Sequence, residues 1–184
     1  MKVGAIILAG GNSSRMGKDK GLLFLNGKPM VAHIINTLQQ ITDDILIVSN
    51  NIEYNNFGVK VYPDLIKDAG PLAGIYSGLS HAKFDKNIVV SCDVPFISVE
   101  LLNYLIENSK NFDVTIPVKN DKAQRVIGIY DKNCIPTFKN ELENNQRRIK
   151  FAIQKLNSNL INADQFKERV FTNINTPNEL KEIQ

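Results

Sequence analysis

The sequence predicts a doubly wound α/β fold: a mostly parallel sheet with helices on both faces, a three-layer sandwich. Three observations lead there. Short β-branched runs alternate with longer stretches of helical period. The runs are continuously apolar, as strands covered on both faces must be. Polar and turn-forming residues follow the runs directly, where such sheets gather their ligand-binding loops.

In chain order, the strand candidates are VGAIIL (3 to 8), DILIV (44 to 48), VKVY (59 to 62), NIVVSC (87 to 92), DVTIPV (113 to 118) and RVIGIY (125 to 130). Between them, Met30, Val31, Ile34, Ile35 and Leu38 recur at helical spacing, and so do Ile75, Leu79 and Ala82, then Leu101, Leu102, Leu105 and Ile106. These are the crossover helices that parallel strands require. From about residue 131 the alternation gives way to helical stretches over 133 to 145 and 148 to 156, a less regular part, and the segment NINTPNELKEI. The Asn-rich stretch from Asn50 to Asn56 reads as a loop, and no internal repeat or linker interrupts the chain.

A chain of 184 residues suits one domain spanning 1 to 184, and 43% hydrophobic with 22% charged residues is ordinary for a globular protein. No apolar run approaches the roughly 18 residues of a membrane span. The first apolar stretch ends at Gly10-Gly11, where a secretory signal would need a longer apolar region and a cleavage site. Cys92 and Cys134 show neither metal-ligand spacing nor a disulfide framework, so a reducing, cytoplasmic location is expected, with no membrane partner. The net charge of +3 is too mild, and its cations too scattered, for a nucleic-acid surface; with no tryptophan and no aromatic residues interleaved with basic ones, nothing points to a single-strand stacking platform either. No nucleic-acid partner is expected.

The chemistry concentrates after the first strand. Gly10 and Gly11 let the backbone turn and approach a ligand without a β-carbon in the way, and Asn12, Ser13 and Ser14 add small donors. Arg15, Lys18 and Lys20 add positive charge, so one loop supplies both the amides and the cations that a triphosphate needs. A plain glycine turn with a solvated basic edge has the same composition; position at a strand end favours the phosphate site. Spacing excludes G-x-G-x-x-G and G-x-x-x-x-G-K-[ST], because Gly17-Lys18 leads into Asp19. Asp93, just past NIVVSC and held before Val94-Pro95, is a carboxylate at the same sheet edge, suited to Mg²⁺, which takes few carboxylates beside phosphate and water oxygens. An isolated Asp there would otherwise be a turn former. Asp64, after Tyr62-Pro63, also reads as a turn residue or a nucleotide contact. His33 and His81 lie in predicted helices with no ligand partner and have packing or surface roles.

Leu8-Ala9-Gly10-Gly11-Asn12-Ser13-Ser14-Arg15-Met16-Gly17-Lys18-Asp19-Lys20 resembles the signature of the molybdenum cofactor guanylyltransferases, the MobA family, within the GT-A-like, nucleotide-diphospho-sugar-transferase-like nucleotidyltransferases. The likeness extends along the chain through the L-x-L-x-G-K-P element from Leu23 to Pro29, Gly70-Pro71-Leu72-Ala73-Gly74-Ile75, Cys92-Asp93-Val94-Pro95-Phe96 and Asn173-Ile174-Asn175-Thr176-Pro177. The resemblance implies that Leu8, Ala9, Gly10 and Gly11 contact a guanine nucleotide, that Lys20 meets its phosphates, and that Asn50 and Asp64 help to bind it. It implies that Asp93 carries Mg²⁺, and that Asn173 and Asn175 lie near the metal and the second substrate. Arg15, Lys20 and Asp93 are then the catalytic candidates. Arg147-Arg148 resembles a basic pair of related transferases where a phosphorylated pterin docks, and is equally a surface pair. Ala123-Gln124-Arg125-Val126 lacks the proline that relatives carry there, so no pterin contact is assigned to it.

The activity so implied is transfer of GMP from GTP to the terminal phosphate of molybdopterin or molybdenum-molybdopterin, giving a guanine dinucleotide cofactor and pyrophosphate. Transient contacts with molybdenum cofactor assembly proteins and acceptor molybdoenzymes go with it. Cytidylyl transfer to the same pterin, nucleotidylyl transfer to a sugar phosphate, and a noncatalytic nucleotide-binding role in cofactor assembly are the alternatives. Gly11 and the early Asp19-Lys20 pair favour the guanylyl branch over L-A-A-G-x-G-T-R-M enzymes, and Lys20 with Asp93 favours catalysis.

Overall fold

The computed structural model describes residues 1–10, 19–175 and 179–180. Strands β1 (Val3–Leu8) and β4 (Ile45–Val48) form where four to six consecutive apolar residues leave no polar face, and they pair in parallel, Ala5 opposite Ile45 and Leu8 opposite Val48. Between them come a two-strand hairpin, β2 (Phe24–Leu25) and β3 (Lys28–Pro29), and helix α1 (Met30–Leu38). The hairpin turns on Asn26 and Gly27, both at positive φ, as an Asn-Gly turn requires. The chain continues through β5 (Lys60–Tyr62), α2 (Gly70–His81), β6 (Lys86–Ser91) and α3 (Val99–Glu107). Then follow β7 (Val114–Lys119), β8 (Lys122–Ala123), β9 (Ile127–Asp131), α4 (Cys134–Glu143), α5 (Ile149–Ile153) and β10 (Ser158–Asn162).

The main sheet runs β10-β7-β9-β6-β1-β4-β5, with β8 paired to β7. Alternate residues of each strand feed two cores. Ala5, Ile7, Ile45, Ile47, Ile88 and Val90 pack under α1 and α3, while Ile6, Leu8, Leu46, Val48, Val89 and Ile116 pack under α2, α4 and α5. This is the doubly wound, three-layer arrangement expected. The six expected strands are present with ends shifted by one or two residues.

Several features go beyond the sequence pattern. β9 runs antiparallel to both β6 and β7, because the connection from β7 is a tight hairpin through β8 and has no room for a crossover helix. β10, in the stretch read as less regular, is an edge strand parallel to β7; Ser158, Asn159 and Asn162 deny it an apolar run. The stretch read as a loop after Asn50 contains a 3₁₀ helix over Ile52–Phe57, started by Asn51, whose side chain accepts from the Glu53 amide at 3.0 Å, and stopped by Gly58 at φ 70°. The helical stretch over 148 to 156 is shorter than expected, only α5. Among the described residues no helix is long and apolar enough to cross a membrane.

Candidate active site

The carboxyl ends of β1, β4, β5 and β6 border a cavity of about 540 Å³ lined by Leu8, Ala9, Gly10, Asn50, Asp64 and residues beside them. Its floor is the end of β1, fixed from both sides: the Ala9 amide donates to the Val48 carbonyl at 3.0 Å, and the Cys92 amide donates to the Leu8 carbonyl at 2.9 Å. Gly10 is the first exposed residue beyond this floor. A β-carbon on it would lie 3.2 Å from Oδ2 of Asp64, so the bare backbone lets that carboxylate close against the loop. Asn50 holds the Asp64 side by accepting the Asp64 amide on Oδ1 at 3.2 Å. Oδ1 of Asp64 is buried with no hydrogen-bond partner among the described residues. Burial first, and Asp68 second, raise its carboxyl above the usual carboxylate range. A buried acceptor without a donor, facing a cavity, is satisfied when a ligand supplies an N–H or O–H.

The far wall is the start of α2. Ala69, Gly70, Pro71 and Gly74 line the cavity, with Gly70 at φ 73° turning the chain into the helix and Pro71 in its first turn. No side chain caps this N-terminus, and the helix dipole leaves it partly positive. The loop before it is held at two points. The Leu65 amide donates to Oγ of Ser77 at 2.9 Å, and Nη1 of Arg147 donates to the Asp68 carbonyl at 2.9 Å. Arg147 therefore supports the wall of the cavity, while the neighbouring Arg148 is exposed at the start of α5.

A second group stands beside the floor, at the end of β6. Nζ of Lys20 donates to Oδ1 of Asn175 at 2.8 Å and lies 3.9 Å from Oδ2 of Asp93. The Ile174 amide donates to the Asp93 carbonyl at 2.8 Å, which brings the segment of Asn173 and Asn175 to this edge from the end of the chain. Ile174 is buried with Leu25 and Met30, so the β2–β3 hairpin anchors the segment. Asn173 is exposed. Oδ1 of Asp93 is buried without a hydrogen-bond partner among the described residues. A carboxylate with one oxygen near an ammonium and the other unsatisfied, beside an amide oxygen, offers hard donors that fit a divalent cation. No cluster of three or more His, Cys, Asp or Glu ligands occurs among the described residues, so such an ion would complete its shell with substrate and water oxygens.

The structure thus joins Leu8, Ala9, Gly10, Asn50 and Asp64 around one cavity and Lys20, Asp93 and Asn175 at its edge. Gly11 and Arg15 lie outside the described residues, as do Thr176 and Pro177. Asp19, Asn51 and Tyr54 were missed. Asp19 and Asn51 line the cavity, and the Tyr54 hydroxyl and the Asn51 side chain both donate to Asp19. The Asp19-Lys20 pair is a visible signal for the first; nothing local marks Tyr54, whose role depends on a partner 35 residues away. The histidines pack as expected: Nε2 of His33 lies 2.8 Å from the Leu25 carbonyl, and His81 stacks on Tyr62 with centroids 4.0 Å apart. Cys92 and Cys134 are buried and free.

Known proteins resemble this chain both in sequence and in fold. Residues 5–159 match the family described as MobA-like NTP transferase domain. The chain is 36% identical to the probable molybdenum cofactor guanylyltransferase of Flavobacterium johnsoniae, over 96% of this chain and 94% of that one. It is 37% identical to the molybdenum cofactor guanylyltransferase of Vibrio parahaemolyticus, over 97% and 93%. In fold it resembles molybdopterin-guanine dinucleotide biosynthesis protein A from Archaeoglobus fulgidus, with a TM-score of 0.84, 23% identity, and 98% and 96% of the two chains covered.

Proposed function

The chain belongs to the MobA-like NTP transferase domain family, and from that premise we propose that it transfers GMP from GTP to the terminal phosphate of molybdopterin or molybdenum-molybdopterin. The products are the guanine dinucleotide cofactor and pyrophosphate. The observation that carries the proposal is the junction between the cavity over Leu8 to Gly10 and the group formed by Lys20, Asp93 and Asn175. In this reading the nucleoside occupies the first and its phosphates the second.

In this reading the acceptor phosphate oxygen forms a bond to the α-phosphorus of GTP, and the bond from that phosphorus to the β-phosphate oxygen breaks. The nucleophile is already anionic, so no strong general base is needed. Catalysis rests on alignment and on charge placed before the reaction begins. Leu8, Ala9 and Gly10 set the nucleotide against the sheet edge, and Gly11 is assigned to the same contact by its place in the family signature. Asn50 and Asp64 hold its far side, with the raised carboxyl of Asp64 facing the nucleoside. Lys20 faces the triphosphate, and Arg15 is assigned to the same phosphates by its place in the family signature. Asp93, with Asn173 and Asn175 beside it, would hold Mg²⁺, which supplies charge neutralisation on the phosphate oxygens when bound. The proposal includes a cytoplasmic location, one domain over residues 1 to 184, and transient contact with cofactor assembly proteins and acceptor molybdoenzymes.

The test is pyrophosphate release from GTP with molybdopterin and Mg²⁺ by the purified chain. Product formation that requires all three supports the proposal; release with CTP or a sugar phosphate in their place overturns it.

A further inference from the structure

Lys20 sits on a three-residue 3₁₀ turn, Lys20–Leu22, that is too short to hold its own shape. Its backbone bonds are few: the Leu22 amide donates to the Asp19 carbonyl and the Leu23 amide to the Lys20 carbonyl, each at 3.1 Å. What fixes the turn is the side chain of Asp19. Its Oδ1 accepts from the Gly21 amide at 3.2 Å and from the hydroxyl of Tyr54, and its Oδ2 accepts from Nδ2 of Asn51 at 3.4 Å. Three donors from the chain itself thus occupy both oxygens of a carboxylate that borders the cavity. This spreads its charge into hydrogen bonds beside a site for an anionic ligand.

Tyr54 is fully buried, between the end of the sheet and Phe57. Burial above all, with Cys92 and Asp19 adding to it, pushes its phenol far up, so the hydroxyl remains a donor. Gly21 passes through the gap between that hydroxyl and Cys92. A β-carbon there would collide with the Tyr54 oxygen and stand 3.1 Å from Cβ of Cys92. The turn is therefore clamped between the 3₁₀ helix that follows β4 and the residue preceding Asp93.

We infer that Asp19 and Tyr54 are positioning residues for the transfer: Tyr54 pins the Asp19 carboxylate, and Asp19 fixes the turn that aims Lys20 at Asp93 and Asn175. The inference rests on the proposed role of Lys20 at the triphosphate. It gives the buried tyrosine a role in turnover beyond filling the core, because its hydroxyl donates to the carboxylate that holds the loop carrying the lysine.

The experiment uses Tyr54→Phe, which keeps the ring and deletes the hydroxyl, with Lys20→Ala and the double variant. Tyr54→Phe is expected to lower kcat about ten- to hundredfold, the scale of a small misplacement of a catalytic group, with KM for GTP changed by less than about threefold. In the Lys20→Ala background the same change is expected to cost less than about twofold, because the pin then has nothing to aim. A kcat for Tyr54→Phe within about twofold of wild type overturns the inference, and so does an undiminished loss in the Lys20→Ala background. Asp19→Ala, which removes both acceptor oxygens of the pin from its half-buried side, is expected to give the same kinetic signature and decides the matter if Tyr54→Phe does not fold. A second readout needs no substrate: hydrogen exchange of the Gly21 amide is expected to quicken at least about tenfold in Tyr54→Phe. Unchanged exchange overturns the pin itself. If the wild-type chain releases no pyrophosphate from GTP and molybdopterin, the functional reading fails, and the exchange measurement still decides the pin.

Discussion

Lys20 and Asn175 are 155 residues apart in sequence and 2.8 Å apart in space, the ammonium of one on the amide oxygen of the other. That contact gathers the start and the end of the chain at the edge where β6 delivers Asp93. It leaves the lysine with a neutral partner at hydrogen-bonding distance and an anionic one at 3.9 Å. A cation so placed gives its short hydrogen bond to an uncharged acceptor and pairs with the carboxylate at longer range, which suits a group whose charge a ligand would share.

Removal of the Asn175 side-chain amide tests that orientation. Hydrogen bonds to charged groups contribute about 1.5–3 kcal/mol, so Asn175→Ala is expected to lower kcat/KM for GTP about tenfold or more. Steady-state pyrophosphate release measures it, and circular dichroism should show an unchanged fold.

Asp93→Ala is expected to cut turnover by at least about a hundredfold, the cost typical of deleting one preorganised electrostatic partner. The thermal midpoint should hold or rise, because Oδ1 of Asp93 is buried without a partner among the described residues. Near wild-type Mg²⁺-dependent rates in this variant would remove Asp93 from the metal site.

With equal concentrations of GTP and CTP in competition, guanylyl product is expected to dominate. The ratio of the two dinucleotide products, separated by chromatography, reads the base preference directly, and an excess of the cytidine product would reassign the nucleotide.

Asp64 links the cavity to stability. Its carboxyl is raised above the value of the unfolded chain, so its protonated form is favoured by folding. The contribution is full below the unfolded value and is lost as pH rises through the folded one. Asp64→Asn removes that titration. Its stability relative to wild type is expected to increase as pH climbs out of the carboxylate range towards neutrality, as denaturant melts at several pH values would show. The same variant should raise KM for GTP.

Gly78 in α2 faces β1 so closely that an added β-carbon would collide with Ile6. Ala ordinarily favours a helix over Gly by about 1 kcal/mol, but overpacking a close interface costs about 1–3 kcal/mol. Gly78→Ala is therefore expected to lower stability in thermal or denaturant melts, with the active-site constants unchanged at temperatures where it is folded.

The run of apolar residues from Val3 to Leu8, the helical spacing of Met30 to Leu38, and the glycines and cations from Gly10 to Lys20 are local patterns. Such patterns alone determined the layered fold and the edge of the sheet that carries the candidate site, because strand and helix periods are set by which faces must leave water. The family signature within the same residues pointed to the nucleotide. Tertiary structure alone decided the direction of β9, the existence of the polar edge strand β10, and the 3₁₀ helix that carries Tyr54. It also chose partners: Tyr54 for Asp19, Ile174 for Asp93, Arg147 for the wall at Asp68. A hydrogen bond across 35 or 155 residues leaves no trace in the periodicity of either segment. It depends on the register of a sheet and the packing of two cores, which exist only once the chain has folded.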